Sequence, residues 1–286
     1  MVALAAMVLA GAVEAPATLA GAPPPPKVTL IGDSVMTGVY WDHDAIAIMQ
    51  NGLDVNWQVA VCRRLEGVSC PFEGSQAPVF VDLVHMLGPQ LAPTVVVEMG
   101  YNDFEQTFAQ SVDDSIRALR AEGVKRILWL TLREVRHPYT TMNDILAAAA
   151  LRHPQMTLVD WNMYSRSHPD WFQNDGEHLE ASGGLAMAAL IHAAVMKALI
   201  PVSVVPRNLP VAHVGRRYAA RLVATGGMTP YDWRLVSGSL PKGLRLTPDG
   251  LIVGVPQKPA RVSLVVRAAD SSGETATSRE ALAVLR

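Results

Sequence analysis

Cysteine is nearly absent from this 286-residue chain, which has only Cys62 and Cys70. Two thiols alone do not complete a four-ligand structural zinc site. Charge is also scarce, at 17% of residues, and balanced: 24 Lys and Arg against 26 Asp and Glu. With no basic stripe, nucleic acid is excluded as the expected partner. The apolar run Val2 to Val13 is too short to span a bilayer as a helix. It suits the core of a signal peptide, although no Lys or Arg precedes it, so an anchor remains the other reading. Ala20-Gly21-Ala22 then offers small residues of the A-x-A cleavage type, and Pro23 to Pro26 reads as a stiff spacer. An exported chain would join Cys62 to Cys70 in a disulfide; a cytoplasmic one would keep two buried thiols.

What is abundant is apolar surface, at 50% of residues, ample for a large core. From Val28 to about Leu199 the pattern alternates. Apolar, β-rich runs occur at 28–31, 55–61, 94–99, 126–131 and 156–159. Helical patterns lie between them at 44–50, 79–87, 111–122 and 141–151, and a long one at 180–199 closes the set. Continuous apolar strands separated by helices predict a parallel sheet covered on both faces, a three-layer α/β unit. Its ligands should sit beyond the carboxyl ends of the strands. After Pro201 the runs become short and alternating, at 216–224, 233–236, 251–253, 262–268 and 281–285, between turns rich in Gly, Pro, Asp and Ser. That predicts a small all-β sandwich. The expected division is 1–26 leader and spacer, 27–200 α/β unit, 201–209 linker and 210–286 β unit.

Three polar clusters fall at strand ends. The first strand runs into Gly32-Asp33-Ser34, the third into Gly100-Tyr101-Asn102-Asp103, and Asp175-Gly176-Glu177-His178 precedes the final helix. Alone, Ser34 is a turn residue and His178 a helix-start residue. Together they offer more. A serine hydroxyl needs a base to become a nucleophile, His is suited to that work, and a carboxylate fixes the His tautomer. An Asp three residues before the His meets it within one turn of chain. Asn102 supplies a side-chain N–H at the same rim, to act with the Ser34 N–H on an oxyanion.

These residues resemble a known family. GDSVMTG is similar to the first motif of the SGNH (GDSL-type) hydrolases, GYND to their G-x-N-D motif and DGEH to their D-x-x-H motif, over about Val28 to Leu199. The resemblance implies a flavodoxin-like fold with strand order 2-1-3-4-5. It implies Ser34 as nucleophile, His178 as base, Asp175 as its partner, Asn102 as oxyanion donor and Gly100 as a site of close chain approach. Asp33 and Asp103 would be hydrogen-bonded turn residues beside Gly32. One departure stands out: the glycine usual after the second strand is replaced by Val61-Cys62-Arg63-Arg64, so the third oxyanion donor falls to Cys62 or Arg63.

The DSVM sequence, followed by an Arg-containing second motif, also resembles extracellular SGNH domains that move acetyl groups on cell-wall glycans. LPKGLRL, DG and GVP in the C-terminal stretch resemble immunoglobulin-like repeats of bacterial surface proteins. The expectation is an exported serine esterase for small acyl esters, acetyl among them, on carbohydrate. It needs no cofactor and no metal, and its β unit reaches the cell envelope. The alternatives are an O-acetyltransferase acting on cell-wall glycan and a non-catalytic wall-binding protein. Tyr40, Trp41 and the aromatics Trp161, Tyr164, Trp171 and Phe172 are candidates for core anchors or for a sugar-facing wall. Glu177 reads as solvated, Glu98 as a strand-end charge paired nearby, and Arg63 and Arg64 as a solvated loop face or, for one of them, a contact to an acidic or glycan substrate.

Overall fold

The computed structural model describes residues 24–134 and 139–286; the signal-peptide segment and His137 lie outside the described residues. The chain proceeds through β1 (Lys27–Gly32), α1 (Thr37–Tyr40), α2 (His43–Met49), β2 (Asp54–Val59), the hairpin strands β3 (Pro71–Phe72) and β4 (Ser75–Gln76), and α3 (Phe80–Leu87). It continues through β5 (Thr94–Glu98), α4 (Glu105–Ala121), β6 (Arg126–Leu130), α5 (Thr140–Arg152), β7 (Met156–Val159), α6 (Trp161–Ser165) and α7 (Ala181–Ala198). One parallel sheet, β2-β1-β5-β6-β7, forms the middle layer. The hairpin stays outside that sheet, so this is the expected flavodoxin-like order with two extra strands in the count.

Side chains of a strand alternate between the two faces, and the cores follow that period. Val28, Leu30, Val96, Leu128 and Leu130 pack with α2 and α7 on one face. Ile31, Val95, Val97, Ile127 and Trp129 pack with α3, α4 and α5 on the other. Both faces are apolar because both are covered, which is why these strands read as unbroken apolar runs.

The β unit comprises β8 (Ser203–Val204), β9 (Ala212–His213), β10 (Tyr218–Arg221), β11 (Ala224–Thr225), β12 (Asp232–Ser237), β13 (Leu244–Leu246), β14 (Leu251–Gly254), β15 (Ala260–Ala269) and β16 (Thr275–Leu285). A four-stranded sheet, β12-β15-β16-β9, and a three-stranded sheet, β10-β14-β13, share one core that includes Trp233, Ile252, Val266 and Leu282. The segment 201–209, read as a linker, does more than connect. Its β8 pairs with β11, and Val202, Val204 and Leu209 enter this core.

The two units are docked. Met228 leaves the β unit and is buried in the core beneath α7. Full burial of such a side chain contributes about 1.5–3 kcal/mol. Gly227 N–H donates to the Ile200 carbonyl, and Arg126, the first residue of β6, pairs with Glu274.

Candidate active site

Parallel pairing in register aligns Gly32 with Val59 and Glu98, so the chain leaving β1, β2 and β5 emerges on one rim. At Gly32 the chain turns sharply. A Cβ there would stand 2.5 Å from Met36 Cβ, so only glycine lets α1 fold back on β1. The turn is tied by Val35 N–H to Asp33 Oδ1 at 3.0 Å and by the Thr37 hydroxyl to the Ser34 carbonyl at 2.5 Å. Gly100 has φ 139°, and a Cβ on it would meet Leu132 and Phe108 at 3.0–3.2 Å. It too is required by conformation and space.

The structure brings Ser34, His178 and Asp175 into one chain of contacts. Ser34 Oγ lies 3.0 Å from His178 Nε2, and His178 Nδ1 lies 2.8 Å from Asp175 Oδ2. Asp175 Oδ1 accepts the Glu177 and His178 N–H groups at 2.9 and 3.0 Å. Burial acts to raise the Asp175 pKa, but those N–H donors and the His178 ring outweigh it, and the carboxyl is held below its usual range. An ionised carboxylate on Nδ1 leaves Nε2 to accept from the serine hydroxyl, the polarity that nucleophilic catalysis needs.

Asn102 lies beside this chain, yet its amide is already engaged. Nδ2 donates to Asp33 Oδ2 at 3.1 Å and to the Arg63 carbonyl at 3.3 Å. The Arg63 N–H closes a turn on the Ala60 carbonyl at 3.3 Å. Among the described residues, the Ser34 and Cys62 N–H groups have no backbone partner. Cys62 sits at φ 62° and is bonded to Cys70, so the disulfide fixes the loop that would hold the third donor.

Several readings of the sequence need correction here. Arg63 is not solvated: it is 4% exposed, with its guanidinium donating to the Pro78 and Gln58 carbonyls, and burial lowers its pKa to about 10. Arg64 lies over the Phe104 ring and faces Asp103. Glu177 accepts from the Tyr139 hydroxyl at 2.7 Å. Trp161 and Phe172 are core residues, whereas Tyr40 and Trp41 stand exposed. Of two further contributors, Arg133 left no mark in the sequence, and Glu98 showed only as a charge ending an otherwise apolar strand, to be paired nearby. Arg133, at 2% exposure, donates to the Gly176 carbonyl at 2.8 Å and lies over the Phe172 ring, bracing the loop that carries Asp175 and His178. Glu98 is buried against Asp33. Among the described residues no cluster of His, Cys, Asp or Glu fits a metal ion.

A groove of about 380 Å³ runs between α1 and the hairpin, lined by Thr37, three residues after Ser34, and by Tyr40, Trp41, Arg63, Phe72, Ser75 and Gln76 among others. A larger hollow of about 580 Å³ lies between α3 and α4; neither it nor the groove is lined by Ser34, Asn102 or His178 themselves, and the groove alone reaches α1, the helix that follows Ser34.

The buried carboxyls reverse the usual pH dependence of stability. Burial raises Asp33 to about 7 and Asp103 to about 6, against roughly 3.9 for an unfolded Asp. A carboxyl raised in the folded state stabilises fully below pH ~4, and that contribution is lost as pH rises through its folded value. Denaturant unfolding should therefore show lower stability at pH 7.5 than at pH 5, by about 1–3 kcal/mol. Asp103→Asn should flatten that slope. A wild type more stable at pH 7.5 would contradict this account.

Residues 201–284 match the family model described as "Putative Ig domain". Over 104 residues the chain is 36% identical to a "Putative O-acetyltransferase" of Staphylococcus aureus (strain MSSA476), covering 36% of this chain and 16% of that protein. Over 97 residues it is 31% identical to a "Putative peptidoglycan O-acetyltransferase" of Bacillus subtilis (strain 168), covering 34% and 14%. The chain thus spans about one sixth or less of the length of these relatives. Among solved structures, a putative arylesterase from Agrobacterium tumefaciens superposes with TM-score 0.45 at 15% identity, over 60% of this chain and 98% of that one. By its strand order the chain joins a flavodoxin-like α/β unit, whose rim motifs resemble those of the SGNH (GDSL-type) hydrolases, to a C-terminal domain of the immunoglobulin-like family.

Proposed function

We propose that the protein is an extracytoplasmic serine-dependent acyl-handling enzyme that takes small acyl esters, acetyl first among them, carried on carbohydrate. The observation that carries this reading is the contact chain from Ser34 through His178 to Asp175. Ser34 Oγ attacks the ester carbonyl carbon while His178 Nε2 takes its proton. The negative charge that develops on the carbonyl oxygen is met by the Ser34 and Cys62 N–H groups and by Asn102. Collapse expels the alcohol, which leaves with the proton from His178, and an acyl group remains on Ser34. A second hydroxyl, from water or from a sugar, gives its proton to His178 and attacks the acyl carbon. Ser34 then leaves with that proton.

Water makes the enzyme an esterase; a sugar hydroxyl makes it an O-acyltransferase. The relatives named as O-acetyltransferases support transfer. The groove along α1, which reaches Thr37 three residues after Ser34, supports a sugar on either route. Its exposed Trp41, Tyr40 and Phe72 offer flat apolar faces, and Ser75 and Gln76 offer hydroxyl and amide groups for hydrogen bonds. The disulfide and the immunoglobulin-like domain support a location outside the cytoplasm.

The test supplies p-nitrophenyl acetate with and without an oligomer of N-acetylglucosamine, and counts free acetate against acetylated glycan. Transfer predicts acetylated glycan and faster p-nitrophenol release as acceptor is added. Trp41→Ala should raise the KM for the acceptor about tenfold, the order of one lost aromatic face. Acetate as the sole product at every acceptor concentration would leave hydrolysis. Release that Ser34→Ala does not lower would remove the reading altogether.

A further inference from the structure

The reaction scheme leaves one buried acid unused. Glu98 ends β5, opposite Gly32 in register, and is 1% exposed. Its Oε2 lies 3.4 Å from where a Cβ of Gly32 would stand, directly beneath the turn that presents Ser34. No hydrogen bond of normal geometry reaches either carboxyl oxygen of Glu98 among the described residues, while the Asp33 and Met36 N–H groups and the Asp33 carboxyl stand close enough to act on it. Beside it is Asp33, wholly buried, whose two oxygens accept from Val35 N–H in the serine turn and from the Asn102 amide. Two carboxyls packed together out of water do not both ionise, because the second charge is repelled by the first and has no solvent to stabilise it. Asp33 already receives two N–H donors, so it is the member that bears the charge.

We infer that Glu98 is a positioning residue: it keeps its proton in the active enzyme and donates it to Asp33, which holds the Ser34 turn and the Asn102 amide in one geometry. This rests on the proposed serine-dependent reaction. The Glu98 carboxyl acts directly on that of Asp33, which places Glu98 O–H to become its third donor. Burial first, and then the Asp33 charge, push Glu98 well above the ordinary carboxylate range. The other titratable groups facing the pair are Tyr101, Asp103, His178 and Arg63. The Tyr101 hydroxyl oxygen accepts the Arg133 backbone N–H at 2.9 Å. Asp103 and His178 act on Asp33 with opposite signs, and Asp33 in turn acts on Arg63. Ionising Glu98 would set two charges side by side beneath Ser34 and break the hold on Asn102.

The test compares Glu98→Gln, whose amide can still donate to Asp33, with Glu98→Leu, which fills the space without donating. Substrate is p-nitrophenyl acetate, and kcat and KM are measured across pH, with melting temperature alongside. Glu98→Gln should keep kcat within about threefold of wild type and lose an alkaline decline in kcat that wild type shows. Glu98→Leu should lose about tenfold or more in kcat with KM little changed, without a lower melting temperature. Equal activity in Glu98→Leu and wild type overturns the inference, as does a Glu98→Gln enzyme as slow as Glu98→Leu. Should Glu98→Leu fail to fold, the Glu98→Gln profile decides alone: an alkaline decline that persists overturns it. Ser34→Ala is assayed in parallel, since activity surviving there would refute the serine mechanism and not the role of Glu98.

Discussion

Replacing Ser34 by alanine should abolish turnover of p-nitrophenyl acetate, with kcat falling by roughly 10⁴–10⁶. The size follows from what the hydroxyl does. Its oxygen would form the bond to the acyl carbon, and no other hydroxyl or thiol stands at 3.0 Å from His178 Nε2 among the described contacts. The substitution removes one atom from a half-exposed side chain and leaves the ties of the turn through Asp33 and Thr37 intact, so the melting temperature should hold. Rapid quenching followed by mass measurement supplies an independent sign: wild type, and not the variant, should carry one acetyl group. A variant retaining a tenth of the wild-type rate would mean that Ser34 is a turn residue.

Asn102→Ala should lower kcat by about 10²–10³, the usual loss of one oxyanion donor, or about 2.7–4 kcal/mol. KM should move little, because the contact strengthens only as charge develops on the carbonyl oxygen. In the resting geometry the amide donates to Asp33 Oδ2 and to the Arg63 carbonyl, so it must share or exchange a hydrogen bond to serve the oxyanion. Its removal leaves two acceptors unpaired and should also cost about 1–3 kcal/mol of stability. The kinetic loss is therefore read only at temperatures where both proteins are fully folded. A kcat within threefold of wild type would exclude Asn102 as an oxyanion donor.

The framework was legible in the sequence where a single physical rule set the pattern. Strands buried on both faces appear as apolar runs, and the polar residues at their carboxyl ends mark the rim; Ser34, Asn102 and His178 were found that way. The pattern weakened where local signals were short. The helix expected from Ser111 begins at Glu105, because Phe108 already turns a buried face to the core from the first turns. The two-residue strands of the 71–76 hairpin are too brief to show any period. Arg133 was invisible, and Glu98 legible only as a strand-end charge with some partner, for another reason. Their roles depend on Gly176 and Asp33, which are distant in sequence and near only after folding. Arg63 looked like a loop cation because nothing local reveals that the Gln58 and Pro78 carbonyls enclose it.

The way the two units meet also decides where the chemistry faces. Met228, Arg126 and the Ile200 carbonyl all hold the immunoglobulin-like domain at the end of the sheet where the strands begin. Ser34 and His178 stand where the strands finish. The domain therefore behaves as a pedestal rather than a lid. Whatever its outer sheets rest upon, the rim that carries the candidate site points the opposite way, raised by the full length of a strand and left uncovered by the second domain.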